Sequence, residues 1–162
     1  MRFEIKQRFV RPAAEVDAAY ADPALYETLV GLPKLGGIEV LGHRRDERTV
    51  QLSIRFAFTG DLPAAVTAVV DPARLTWVQE STHDLVAART TFRLVPDHYP
   101  DRLAASGSVR VLATDTGTQR VVSGDLRVKA MLVSGRVEQA IVSGLAEYLE
   151  AEAPAVDRFL DG

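Results

Sequence analysis

Val50-Gln51-Leu52-Ser53-Ile54-Arg55-Phe56-Ala57-Phe58-Thr59 carries a large apolar side chain at every second position, with Gln51, Ser53, Arg55, Ala57 and Thr59 between them. Successive side chains of a strand point to opposite faces, so this stretch has one buried face and one wet face. That is the behaviour of a strand in an antiparallel sheet covered on one side only. Upstream, Arg44-Arg45-Asp46-Glu47-Arg48 is a polar hairpin turn leading back to a strand through Ile38, Val40 and Leu41, with Gly36-Gly37 before it. Downstream, Gly60-Asp61-Leu62-Pro63 is a turn. Ala64 to Val70 reads as a helical turn by its alanines and as a strand by its valines.

Further strands are expected from Leu75 to about Thr82, from about Arg89 to Val95, from Arg102 to Ala113 and from about Gln119 to Ala130. Turn residues separate them at 96–101 and at Asp115-Thr116-Gly117. Residues 2–10 form a first strand with Phe3, Ile5 and Phe9 in alternation. Arg11-Pro12 then opens a short helix through Val16 and Tyr20, and Asp22-Pro23 ends it. A second short helix runs through Leu25, Tyr26, Leu29 and Val30 to Gly31-Leu32-Pro33.

The chain closes with a long helix from about Gly135 to Leu160. Val137, Ile141, Leu145, Tyr148, Leu149, Val156 and Phe159 follow helical spacing, while Glu147, Glu150 and Asp157 fall elsewhere around it. Ser134 suits the N-cap and Glu138 the first turn. Pro154 predicts a kink or a division. Ala140 and Gly144 slim the inner side of the helix, which either brings it close to the sheet or leaves space for a ligand.

Composition sets the outer bounds. With 162 residues, 47% apolar and 25% charged, the chain fits one globular domain, residues 1–162. There is no cysteine, so disulfides, thiolate metal sites and cysteine nucleophiles are excluded. Met1-Arg2-Phe3-Glu4-Ile5-Lys6 alternates instead of forming the apolar run of a signal peptide, which points to the cytoplasm. The net charge is −3, and residues 131–162 alone hold two basic and six acidic groups. No basic footprint for nucleic acid is present, and neither stable membrane insertion nor a cofactor is expected. Gly-rich phosphate loops and the Gly-x-Ser-x-Gly elbow are absent from the sequence.

The order of strand, two short helices, about six strands and one long helix resembles the START-like (SRPBCC) superfamily. Thr59-Gly60-Asp61-Leu62-Pro63, the stretch Leu75-Thr76-Trp77-Val78-Gln79-Glu80-Ser81-Thr82 and the stretch from Phe92 to Arg102 are similar to an actinobacterial branch of it, domain-of-unknown-function family 2505. The resemblance implies an α+β helix-grip fold, a curved antiparallel sheet of about seven strands around the last helix. It also implies a cavity between sheet and helix. It brings no catalytic motif, and a shared fold does not carry a shared function.

The leading expectation is a non-catalytic binder or carrier of a small hydrophobic molecule, lipid-like or polyketide-like. Its wall would be Phe56, Phe58, Trp77, Phe92, Leu126, Val128, Ile141, Leu145 and Tyr148, with Tyr26 at the mouth. The alternatives are a cyclase- or aromatase-like enzyme acting in the same cavity, which needs at least two titratable groups converging there, and a protein-interaction module, a homodimer among its forms, using the outer sheet face. His43, His83 and His98 have no metal-ligand spacing. His83-Asp84 reads as a solvated pair at a strand end, and Asp97-His98-Tyr99-Pro100-Asp101-Arg102 as a rigid turn. Trp77 either lines the cavity or packs in the core. Arg93, Arg110 and Arg127 face water by alternation.

Overall fold

The computed structural model describes residues 1–162. Seven strands form one sheet: β1 Arg2–Phe9, β2 Leu35–Arg45, β3 Thr49–Phe58, β4 Thr76–Asp84, β5 Arg89–Pro96, β6 Leu103–Thr114 and β7 Gly117–Val128. The helices are α1 Ala13–Tyr20, α2 Pro23–Thr28, α3 Ala64–Thr67 and α4 Ser134–Asp161. The expected helix-grip architecture is the one observed. The ambiguous segment after β3 resolves as the helical turn α3, followed by a 3-10 turn at Pro72–Arg74.

The strand order is β1-β7-β6-β5-β4-β3-β2, every neighbouring pair antiparallel. Strands β2 to β7 are therefore a meander, and β1 joins its far edge beside β7. The chain must cross the whole sheet between β1 and β2, six inter-strand spacings or roughly 29 Å if flat. Helices α1 and α2 make that crossing. Asp22 caps α2 by accepting from the Ala24 N–H at 2.9 Å, with Pro23 in the first turn. The break in the sequence is thus also the start of the second helix.

The alternation at Val50–Phe58 survives in full: Val50, Leu52, Ile54, Phe56 and Phe58 are all buried on the inner face. One cross-strand row on that face reads Leu52, Ser81, Phe92, Gly107, Gly124 and Phe3. Two glycines stand opposite each other at its centre. A methyl group on Gly107 would overlap the Ser123 carbonyl oxygen and lie 2.7 Å from the Phe92 ring, and one on Gly124 would lie 2.7 Å from the Phe3 ring. The two phenyl groups cover the glycine backbone, which lets the sheet bend where side chains would otherwise hold it flat.

Helix α4 runs unbroken through Pro154, so the expected division does not occur. Its last turns are pinned from outside the helix. The Val10 N–H donates to Asp157 Oδ2 at 3.3 Å, and Arg11 pairs with Asp161 at 3.3 Å. At the other end Ser134 lies inside the helix and not at its cap. Its hydroxyl donates to the Ala130 carbonyl and accepts from the Ala130 N–H, tying the helix start to the preceding loop. Glu138 accepts from the Val128 N–H at 2.9 Å and lies 3.5 Å from the N-terminal amine, fastening α4 to β7 and β1.

His83 corrects an expectation. It does not sit in a solvated turn but on the inner face of β4, 5% exposed. Ser81 Oγ lies 3.1 Å from its Nε2 and Thr90 Oγ1 3.0 Å from its Nδ1. One ring nitrogen donates and the other accepts, with the two hydroxyls turning to suit. Only Asp84 plays the turn role, accepting from the Val86 and Ala87 N–H groups. Burial, and secondarily the charge of Arg120, lower the His83 pKa to about 4. The turn after β5 is structural: Asp97 accepts twice from Arg55 and once from Thr76, and the Tyr99 hydroxyl accepts from the Asp71 N–H.

Two measurements follow from this packing. Gly107→Ala should destabilise the protein by about 3 kcal/mol, the upper end of overpacking costs, read from urea unfolding; an unchanged midpoint would refute the close approach. His83 is held neutral, so its contribution is whole above pH 6.5 and is lost as pH falls through about 4, a total of roughly 3 kcal/mol. The urea midpoint should therefore fall more steeply between pH 7 and pH 4 in the native protein than in His83→Gln, and parallel slopes would contradict this.

Candidate functional site

Between the concave face of the sheet and α4 lies a cavity of about 100 Å³, lined by 20 residues of which 17 are hydrophobic. The sheet supplies its wall from alternate positions, such as Phe92 and Leu94 on β5 or Val122 and Leu126 on β7. Helix α4 supplies the cover through Ile141, Val142, Leu145, Tyr148 and Leu149, one continuous stripe at helical spacing. Phe56 stacks on Trp77 at 6.3 Å between ring centres and meets Tyr148 edge-on at 6.4 Å, so these three aromatics form one side of the space.

Of the ten wall residues expected from the sequence, all border this cavity except Phe58 and Val128. Phe58 does face inward, but its ring occupies the notch that Gly144 leaves in α4. A methyl group on Gly144 would lie 2.7 Å from the Phe58 ring. The small residue on the helix therefore serves close packing and not ligand space. Val128 lies nearer the end of β7 and borders a separate pocket of about 20 Å³, together with Tyr99, Arg102 and Val137. Ile141 stands in the walls of both. Arg93, Arg110 and Arg127 are exposed, as alternation implies.

The remaining three lining residues are polar: Gln79, Arg120 and Glu152. Arg120 and Glu152 were not anticipated as site residues, and they belong to a buried network at one end of the cavity. Glu152 is 3% exposed. Its Oε1 accepts a short hydrogen bond from the Tyr20 hydroxyl and another from Gln7 Nε2 at 3.3 Å. Gln7 Nε2 also donates to the Leu149 carbonyl at 2.8 Å, and Gln7 Oε1 accepts from Arg120 Nη1 at 2.6 Å. The Arg120 guanidinium stacks over the Tyr20 ring at 3.7 Å. Gln7 thus bridges a partly buried cation and a buried anion. The Tyr26 hydroxyl donates to the Tyr20 carbonyl at 2.8 Å, which ties α2 to α1 behind the network.

Electrostatics follow from burial. The hydroxyls of Tyr20, Tyr26 and Tyr148 are all pushed above the ordinary tyrosine value, first by burial, with the Glu152 charge adding to each. They stay protonated and can only donate or accept as neutral groups. On the half-buried flank of Arg120, burial raises the Asp17 pKa while Arg120 opposes the shift. The Tyr148 hydroxyl is enclosed yet has no hydrogen-bond partner. No group of three or more His, Asp or Glu side chains is arranged to hold a metal ion, and no helix is long and apolar enough to cross a membrane.

A sequence signal for this network did exist. Glu152 sits four residues after Tyr148 and four before Val156, on the stripe that faces the sheet. Gln7 alternates with Phe3, Ile5 and Phe9, and Arg120 with Thr118 and Val122. Each is a polar residue at a position whose period demands an apolar one. Such breaks of pattern mark functional or strained sites.

Comparison with known proteins agrees with this geometry at the level of the fold. A Thermus thermophilus protein of known structure superposes with a TM-score of 0.69 at 14% identity, covering 99% of this chain and 97% of that one. The Zhui aromatase/cyclase from Streptomyces gives 0.65 at 16% identity, covering 99% and 93%. Norcoclaurine synthase from Thalictrum flavum gives 0.60 at 18% identity, covering 99% and 84%. A sequence search of curated proteins finds no match. The helix-grip fold is common to these structures and to this chain. The sequence profile described as "Protein of unknown function (DUF2505)" matches residues 4–160, and the chain belongs to that family.

Proposed function

We propose that the protein binds or carries a small hydrophobic molecule in the cavity between its sheet and α4. The observation that carries this reading is the cavity wall itself, 17 hydrophobic residues of 20 around about 100 Å³. Each square ångström of apolar ligand surface removed from water there is worth roughly 25 cal/mol. The size narrows the ligand. Drug-sized sites span roughly 300–1,000 Å³, whereas a cavity of about 150 Å³ takes benzene. At about 100 Å³ this cavity falls short of that, so even a single ring needs a small side-chain movement to enter.

A longer lipid-like or polyketide-like ligand needs a passage past Ile141. That side chain borders both the main cavity and the pocket beside Val128, so it is the residue whose movement bears on both spaces. A second reading, an enzyme of the cyclase or aromatase kind, is favoured by one specific observation. Glu152, Arg120 and the tyrosine hydroxyls converge on one end of the apolar space, and two converging titratable groups are the minimum for proton-transfer chemistry.

Toluene tests the cavity directly. At a concentration 100-fold above its Kd, a ligand of the folded state adds about 2.7 kcal/mol. For a chain of this size that raises Tm by roughly 5–10 °C. Ala105→Leu, which projects into the cavity from β6, should abolish the shift while the variant still melts cooperatively. Native mass spectrometry of protein purified from its own host should release a small apolar molecule on denaturation. Absence of both signals would remove the binding reading.

A further inference from the structure

Two polar groups at the end of the cavity lack partners within the protein. The Tyr148 hydroxyl is one: the residue is 2% exposed, its ring borders the cavity, and no group bonds to its oxygen. The second is one oxygen of Glu152. Both hydrogen bonds that reach this carboxylate, from Tyr20 and from Gln7, arrive at Oε1. Glu152 follows Tyr148 by four residues on α4, so the two side chains share a helix face. Burial, then the charge and close approach of the Glu152 carboxylate, keep the Tyr148 hydroxyl protonated, so it has a proton to donate, yet it meets no acceptor in hydrogen-bond geometry.

We propose that Tyr148 and Glu152 together recognise one neutral hydroxyl group, phenolic or alcoholic, on a ring-sized apolar ligand. The inference rests on the cavity-binding reading above. Tyr148 donates to the ligand oxygen, and the ligand hydroxyl donates to Glu152 Oε2. Other groups match less well. A ketone or ether accepts from Tyr148 but brings no donor to Oε2. An ammonium brings donors but no acceptor for the Tyr148 proton. A carboxylate would meet Glu152 as a like charge. Arg120, linked to Glu152 through Gln7, already offsets the buried anion, so a charged ligand would add a charge without a counterpart.

The test is a matched series of single-ring probes titrated into the full chain at pH 7 and followed by ligand-observed NMR. Phenol should bind about tenfold more tightly than toluene, the discrimination of one hydrogen-bonded group involving a charged acceptor. Anisole, which accepts but cannot donate, should bind no better than toluene, and neither should benzylamine or benzoate. In Tyr148→Phe the preference for phenol over toluene should vanish. A single cooperative melt verifies that the variant is folded. Equal binding of phenol and toluene overturns the hydroxyl site and leaves the apolar cavity standing. A phenol preference that persists in Tyr148→Phe, or a preference for anisole or benzylamine, overturns it equally. Failure of every probe to bind the folded wild-type chain overturns both readings.

Discussion

The Glu152 carboxylate sets the terms for the rest of the molecule. Removing a carboxylate from water costs several kcal/mol even after relaxation, and this one sits on the apolar stripe of α4 at 3% exposure. Its presence is tolerable only because three elements supply compensation: Tyr20 from α1, Gln7 from β1 and, through Gln7, Arg120 from β7. Those contacts fix where α1 and α4 lie on the sheet. Because β1 pairs with β7 at one edge of the sheet while the chain leaves β1 through α1 and α2 for the opposite edge, the network also ties the first strand and its crossover to the last elements of the chain. Replacing one member alone would leave a buried charge or donor unmatched, which costs more than the pair gains by being present.

Much of the fold was legible because one-sided burial writes a period into the sequence. Val50 to Phe58 alternates without exception, and the structure buries every apolar member of that set. Period alone fails where a residue's chemistry and its burial disagree. His83 looks like a turn residue beside Asp84, yet Ser81 and Thr90 satisfy both ring nitrogens and make burial affordable. Gly107 and Gly124 are read from sequence as weak points in two strands. Their meaning emerges only when the register sets them opposite each other beneath Phe92 and Phe3. Pro154 should interrupt a helix considered alone. Contacts from Val10 and Arg11 hold the segment beyond it in place.

The apolar part of the candidate site was legible for the same reason as the fold. Aromatic residues on inward-facing positions have few places to go except the space under α4. Alternation carries no depth, however, so it points Phe58 at the ligand when its ring belongs against Gly144. A ring beside a glycine and a ring beside a cavity have the same periodicity. The polar end was missed for a different reason. Histidines and dense polar turns are where functional residues often gather, but here His83 and the turn after β5 are structural. Gln7, Arg120 and Glu152 instead reveal themselves as exceptions to an apolar pattern.

The two halves of the site pull in opposite directions. The apolar wall favours expulsion of water, which makes every unpaired polar atom at its end more costly, since low local dielectric strengthens both satisfied and unsatisfied polar interactions. The protein meets that cost almost completely: Tyr20, Tyr26, Gln7 and one Glu152 oxygen are bonded. The exceptions are the second Glu152 oxygen and the Tyr148 hydroxyl, the latter a group whose replacement by phenylalanine would fit the same space. An unpartnered hydroxyl in the core lowers the stability of the unliganded chain, so it is a liability for folding alone. The same atom becomes an asset once a ligand oxygen lies beside it, because a donor already stripped of water has no further desolvation to undergo on binding. The imperfection in the packing and the capacity for recognition are then one property of the same side chain.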